Sequence, residues 1–434
     1  MASWRNWSGS VGCNPQAILY PQTLDEIIAA VRLCREGGRR LRVVGSGHSF
    51  TPVAATDEMM LSLEKFAGVE HADLTTGLVT VRAGTRIKDL GELLAAYGLA
   101  QENLGDIDVQ SIAGAISTGT HGSGAGLGTI ATQVAALTLV TADGTVLHCS
   151  EDENRDVFKA AQISLGSLGI IARVTLRCVP AYTLDYRWEK QSLSETLDSL
   201  ERHKSENRNF EFFWIPYTDT VLAKFMNITD AAPRRFRWFR RFNEAVLENA
   251  VLWLLSETAR LIPAASRHVA RMMAALVSSG RDIAPSHQAY ATVRAVKFQE
   301  MEYSIPTEHF ADCLRAIDTC IRQERFKVHF PVECRFVKGD DIPLSPAYGR
   351  DSAYIAVHMY RGMPYERYFQ AVESIIQGYG GRPHWGKLHT RGTDDLRVLY
   401  PLWDDFMTVR QRLDPDGFFL NDYAARLFGA ARPE

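Results

Sequence analysis

The stretch "VVGSGHSFTP", residues 43–52, sets a histidine in the middle of a glycine-rich loop. Val43 and Val44 end an apolar run, "LRVV", of strand-forming character. Gly45 and Gly47 make the following backbone permissive, and Pro52 closes the loop. An imidazole carried there is sterically open. It suits contact with a phosphate, ligation of a metal, general-base work or a covalent bond, and the loop alone does not choose among these.

A second loop of the same kind, "STGTHGSGAGLG" at 117–128, carries His121. Runs of small residues let successive backbone N–H groups converge on an anion, so two such loops in one part of the chain point to a nucleotide. The mode is not the dinucleotide fingerprint, because Gly45 and Gly47 are followed by Phe50 rather than a third glycine, and no GK[ST] occurs. No His-Glu-x-x-His or related spacing supplies a third ligand, so no metal is expected.

Around these loops the first 180 residues alternate strand-like and helix-like runs. "AILYP" precedes a helical stretch with Thr23 and Glu26 spaced as a capping box and Gly37-Gly38 as its stop. "LVTVRAGT" leads into the helical "IKDLGELLAAYG", Asp143-Gly144 marks a tight hairpin, and "GSLGIIARVTLRCVP" reads as a turn feeding a long strand. Beyond residue 181 aromatics rise, long helical segments run to about 280, and strand-like runs return at "KVHFPVECRFV" and "SAYIAVHMYR".

The totals bound the classes. At 434 residues the chain is long enough for two or three lobes, and 46% hydrophobic with 23% charged residues is ordinary globular composition. A net charge of −3 excludes nucleic acid as the main partner. The seven cysteines are scattered, with no Cys-x-x-Cys pair, which fits a reducing compartment. No signal core opens the chain, and the apolar stretch in "ENAVLWLLSETARLIP" is interrupted by Glu257 and Arg260, so no transmembrane span and a cytoplasmic location are expected. The run "PRRFRWFRRF" packs five arginines into 234–241. Its two readings are a peripheral contact with a membrane surface or partner, and a solvated helix face.

Three later patterns carry ionisable groups. Strand alternation in "PVECRFV" puts Glu333 and Arg335 on one face, with Val332, Cys334 and Phe336 on the other. In "AYIAVHMYR", His358 and Tyr360 share a face. "RPHWGKLH" gathers His384, Lys387 and His389 around a Trp-Gly pair. An apolar back and an ionisable front suit one layer over a polar cavity, although a Glu-Arg pair can equally be structural.

Taken in order, "VVGSGHSF", "SIAGAISTGTHGSG", "SLGIIARVTL", "VECRF", "PHWGK" and "RLDPDGFFLND" resemble the FAD-dependent aldonolactone and alditol oxidoreductases of the vanillyl-alcohol oxidase superfamily. The resemblance implies an α+β fold: a two-part FAD-binding domain, at 1–178 with a returning segment at 381–434, and an α/β cap at 179–380. It implies FAD held by Val44, Gly45, Ser46, Gly47, His48, Ser49 and Phe50 of the first loop. Gly105, Ser111 and Gly114 join them, with Thr118, Gly119, Thr120, His121 and Gly122 of the second loop. Gly169, Ile171, His384 and Asn421 complete the set.

His48 matches the family histidine bonded to the flavin 8α-methyl carbon, which implies a covalent 8α-histidyl cofactor. Glu333, Arg335 and Lys387 match the family's catalytic set. Asp106, His358 and Tyr360 fall on the substrate side, although alditol-oxidising members have a small hydroxyl residue where Asp106 stands. The implied reaction is hydride removal from an aldono-1,4-lactone with oxygen as acceptor. An alditol substrate, or a cytochrome or quinone acceptor, is the alternative. A flavin-binding protein without redox turnover is the reading from a different class, and the joint presence of Glu333, Arg335 and Lys387 speaks against it.

Overall fold

The computed structural model describes residues 2–233, 237–291 and 295–430, with residues 237–248 described by their helix alone. The arginine–aromatic run at 234–241 therefore lies outside the described side chains.

Three sheets organise the chain. A small parallel sheet orders Ala17–Leu19, Met59–Ser62 and Leu41–Val44, so the "LRVV" strand ends directly on the first glycine loop. A five-stranded antiparallel sheet runs Val146–Ser150, Val134–Val140, Ile170–Arg177, Leu78–Arg82, Val69–Asp73. Its hairpin turns at Asp143-Gly144 as the local chemistry predicts, with Gly144 at φ +81°. Helix Leu24–Glu36 is capped by Thr23, which accepts from the Glu26 N–H, while the Glu26 carboxylate accepts from the N–H of Gln22 rather than closing the full box on Thr23.

The third sheet has eight strands. Its order is Gly280–Pro285, Thr183–Ser192, Thr220–Thr229, Asn209–Trp214, Val332–Val337, Ser352–Tyr360, Phe298–Pro306 and Arg382–Pro383, every printed pair antiparallel. One face buries Phe212, Cys334, Ile355, Val357, Met301 and Ile305 in a core shared with helices Phe310–Glu324 and Glu366–Gln377. Period-two alternation then forces the intervening side chains onto the opposite face. The C-terminal residues Trp385, Phe406, Phe419 and Phe428 pack into the other core, with Leu41, Leu61 and Ile112. Among the described residues no helix is long and apolar enough to cross a membrane.

Arg42 ties the parallel sheet to both ends of the chain. Its guanidinium is buried and donates to the carbonyls of Val53 (2.7 Å), Leu165 (2.5 Å), Gly166 (3.2 Å) and Phe419 (2.8 Å). Burial pushes its pKa down to about 10, still far above neutrality. Arg42→Met leaves four carbonyls without this donor, so unfolding stability falls by about 3 kcal/mol or more. Urea unfolding of the holoprotein checks this; a change under about 1 kcal/mol contradicts it.

Candidate functional site

Two cavities meet at His48. The first, with about 890 Å³ of empty space, is lined by the 43–49 loop, Ser111, Gly114, Thr118, Gly169 and Ile171. The loop reaches this position because its glycines allow it. A Cβ on Gly45 would lie 2.6 Å from the Ser111 hydroxyl, and Gly47 sits at φ +70°. Small residues on this loop and at the start of helix Ile112–Ser117 are a cradle that side chains would fill, and this fits an extended FAD.

The second cavity is polar. His48, Ser49 and Thr118 line it too, together with Phe50, Gly105, Asp106, Thr120, His121, Glu333, Arg335, His384 and Lys387. Its floor is the ionic face of the eight-stranded sheet, and register explains the clustering. Arg335 stands opposite Glu211, which stands opposite Lys224 on the next strand, and Glu300 stands opposite His358.

The Arg335 guanidinium, buried in the middle of this face, contacts Asp106 (3.2 Å), Glu211 (3.1 Å) and Glu333. Burial disfavours its charge, but Glu333, Glu211 and Asp106 raise its pKa well above the usual value. Lys224 lies behind, 3.1 Å from Glu211 and 3.9 Å from Asp106. Burial and the neighbouring Asp106 push Glu211 up despite the two cations. On the other flank Lys387 is 2.5 Å from Glu300 and 4.0 Å from Glu302. Burial opposes ionisation of Glu300, yet Lys387 and His358 bring it well below the carboxylate range; His121 and Lys387 do the same for Glu302.

His48 stacks on Trp7, with centroids 5.6 Å apart. Burial, aided by Lys387 and Arg86, lowers its pKa to about 4, so the imidazole is neutral near pH 7. Burial also lowers His384 to about 3, and its Nδ1 accepts from the Gly386 N–H. The loops interlock, since the Phe50 N–H donates to the Gly386 carbonyl at 2.7 Å.

Five expected residues line neither cavity. Gly122 is a close-packing position, where a Cβ would lie 2.1 Å from the Leu104 carbonyl oxygen, and Gly119, at φ +72°, faces Ile163 and Pro346. Asn421 caps helix Asp422–Phe428 and donates to the Pro52, Val53 and Ala55 carbonyls, holding the turn after the first loop. His358 stands behind Glu300 and Glu333. Tyr360 keeps the expected face but lies at the strand end, where its hydroxyl donates to Glu257 at 2.5 Å. Asp106 does line the cavity, as an ion-pair partner of Arg335.

Sequence reading passed over Glu211, Lys224, Glu300 and Glu302. The last two had a signal, because "FQEMEYSIP" alternates its carboxylates with Met301, Tyr303 and Ile305.

The chain matches the family model described as D-arabinono-1,4-lactone oxidase over residues 174–427, and one described as an FAD binding domain over 15–150. It is 42% identical to L-gulono-1,4-lactone dehydrogenase of Mycobacterium tuberculosis, covering 98% of this chain and 99% of that one. It is 35% identical to L-gulonolactone oxidase of Mus musculus, with 98% of each covered. D-arabinono-1,4-lactone oxidase of Yarrowia lipolytica is 29% identical over 96% of this chain and 95% of its own. The crystal structure of cholesterol oxidase from B. sterolicum superposes with a TM-score of 0.84 at 18% identity, covering 98% of this chain and 96% of that one, a likeness of fold alone.

The depressed histidines set a pH dependence. His48 and His384 bind protons more weakly folded than unfolded, where the value is 6.5, so the unfolded chain holds more protons once pH falls below it. Their contribution to stability is complete above pH 6.5 and is lost as pH falls towards 4 and 3 respectively. The buried His329 and His389, both lowered to about 4, act in the same direction. Calorimetric Tm should fall by about 5 °C or more between about pH 7 and pH 5. A Tm that holds or rises contradicts the neutral-histidine arrangement.

Proposed function

The chain belongs to the D-arabinono-1,4-lactone oxidase family and is a flavin-dependent lactone oxidoreductase, and on that premise we propose how its own residues carry the reaction. The FAD-binding parts are taken as 1–178 and 381–434 and the substrate cap as 179–380. An aldono-1,4-lactone of the L-gulono-, L-galactono- or D-arabinono type occupies the polar cavity, with its oxidised carbinol carbon next to the lactone carbonyl. FAD, when bound along the first cavity, supplies the electron acceptor for hydride removal from that carbon.

The protein's work is electrostatic. Lys387 and Arg335 both face the polar cavity and stabilise the alkoxide developing on the substrate hydroxyl. Arg335 cannot act as a base, because its carboxylate partners hold it charged. Glu333, engaged by Arg335, orients the hydroxyls and receives the proton directly or through water. His121 and His384 close the wall beside Glu302, and Trp7, Phe50 and Phe298 close the other, excluding water from the reacting carbon. The ketone formed beside a lactone carbonyl tautomerises to an ene-diol of the ascorbate type.

The observation that carries this reading is the position of His48 at the junction of the two cavities. A neutral imidazole there, approached through Gly-Ser-Gly, is suited to bond covalently to the flavin 8α-methyl carbon and so to fix the ring over the cavity. Gly105 supports oxygen as the electron acceptor. It lines the cavity without a side chain, and an added Cβ would press on the His121 carbonyl at 3.0 Å. A dehydrogenase passing electrons to a cytochrome or quinone is the second reading, supported by the name of the M. tuberculosis relative.

Lys387→Met and Glu333→Gln should each lower turnover of L-gulono-1,4-lactone by about 10²–10³-fold, measured as ene-diol product with oxygen uptake followed in parallel. Acid-precipitated wild-type protein should keep its yellow colour and His48→Ala should lose it. Full activity in Lys387→Met contradicts the mechanism, colour released from the wild type contradicts the tether, and turnover without oxygen uptake favours the dehydrogenase.

A further inference from the structure

His358 lies on the fully buried strand Ser352–Tyr360, one layer behind the cavity wall. Its Nδ1 is 3.0 Å from the Pro331 carbonyl oxygen, which can only accept, so Nδ1 carries a hydrogen. Nε2 is directed between two carboxylates, 3.5 Å from Glu300 Oε1 and 3.8 Å from Glu333 Oε2. A bare lone pair in that position would face two anions in a dry interior. A proton on Nε2 turns the same geometry into attraction.

The remaining oxygen of each carboxylate holds a cation. Glu300 Oε2 is 2.5 Å from the Lys387 ammonium, and Glu333 Oε1 contacts Arg335. One imidazole therefore joins the two carboxylates behind the two cations, in the unbroken alternation Lys387, Glu300, His358, Glu333, Arg335. We propose that His358, as an imidazolium, is a positioning residue that draws Glu300 and Glu333 together and so sets the separation of Lys387 and Arg335. This rests on the reading of those two cations as the groups that meet the alkoxide.

The charge balance agrees. Around the cavity stand the carboxylates of Asp106, Glu211, Glu300, Glu302 and Glu333 against Lys224, Arg335 and Lys387. His121 repeats the construction, with Nδ1 2.9 Å from the Gly122 carbonyl oxygen and Nε2 3.3 Å from Glu302. Among the described residues, Glu300 and Glu333 are the charged groups at ion-pair distance from His358, and its other ring neighbours are Phe298 and Phe330.

Positioning and direct substrate contact make different predictions. In substrate-free holoenzyme carrying ¹⁵N-labelled histidine, NMR near pH 7 should show His358 with both ring nitrogens protonated, a signal missing from His358→Asn. In anaerobic stopped-flow flavin reduction by L-gulono-1,4-lactone, His358→Asn should lower the limiting rate by about 10²-fold. Its half-saturating concentration should stay within about threefold of the wild type. A bare Nε2 in the wild type, with the His358 signal assigned through its bonded neighbours in the chain, overturns the proposal, and that reading does not depend on any variant folding. So does a raised half-saturating concentration with the limiting rate kept, which marks a direct substrate contact, and so does a variant indistinguishable from wild type. Wild-type flavin that no lactone reduces sinks the reaction reading instead, leaving the NMR result to judge the imidazolium by itself.

Discussion

Arg335 is a guanidinium buried in the middle of a sheet, and it cannot shed its charge. Little water reaches it, so the fold must surround it with anions, and the rest of the site follows from that requirement. Asp106 comes from a loop lining the polar cavity, while Glu211 and Glu333 come from the sheet itself. The same ion pairs that solvate Arg335 therefore clamp the 105–106 loop onto the sheet. Those anions need cations in turn, which places Lys224 behind, and His358 lies between Glu333 and Glu300. Removing one member leaves a buried charge uncompensated, a loss of about 3–5 kcal/mol in comparable networks. Stability and catalysis draw on one set of contacts.

The cofactor side is built on a different principle. The 43–49 loop of small residues closely approaches the start of helix Ile112–Ser117, so the first cavity is lined mainly by backbone, hydroxyls and small side chains. His48 is the exception, and the structure keeps it neutral while Lys387 stands close by. A histidine that first suggests a phosphate contact stands at the boundary between the two cavities, where the proposed tether would form. The proposed chemistry lies on the ionic face of the sheet and on Lys387, far along the chain from that loop.

Much of this arrangement was legible from residue patterns of short range. Strand alternation placed Glu333 and Arg335 on one face, and glycine spacing marked the 43–49 loop that lines the first cavity. What escaped was whatever depends on register between distant strands. Glu211 and Lys224 acquire meaning only when Asn209–Trp214 pairs with both Val332–Val337 and Thr220–Thr229. Glu300 and Glu302 showed the right period, but nothing local revealed that Lys387 would come to rest against them. Tyr360 shows the converse. Period two names the face of a strand but not where along it a cavity stops, and Phe298 ends this one before Tyr360. Asp106 reads as a loop residue near substrate until Arg335 is seen to hold it.

The central claim is that this charge-balanced cavity accepts a lactone beside the flavin and oxidises it. Anaerobic titration of the holoenzyme, following flavin absorbance, tests it most directly. The account predicts that L-gulono-1,4-lactone or a near relative bleaches the flavin to completion at about one equivalent, while xylitol leaves it oxidised. Bleaching by xylitol with no response to any aldonolactone would contradict it.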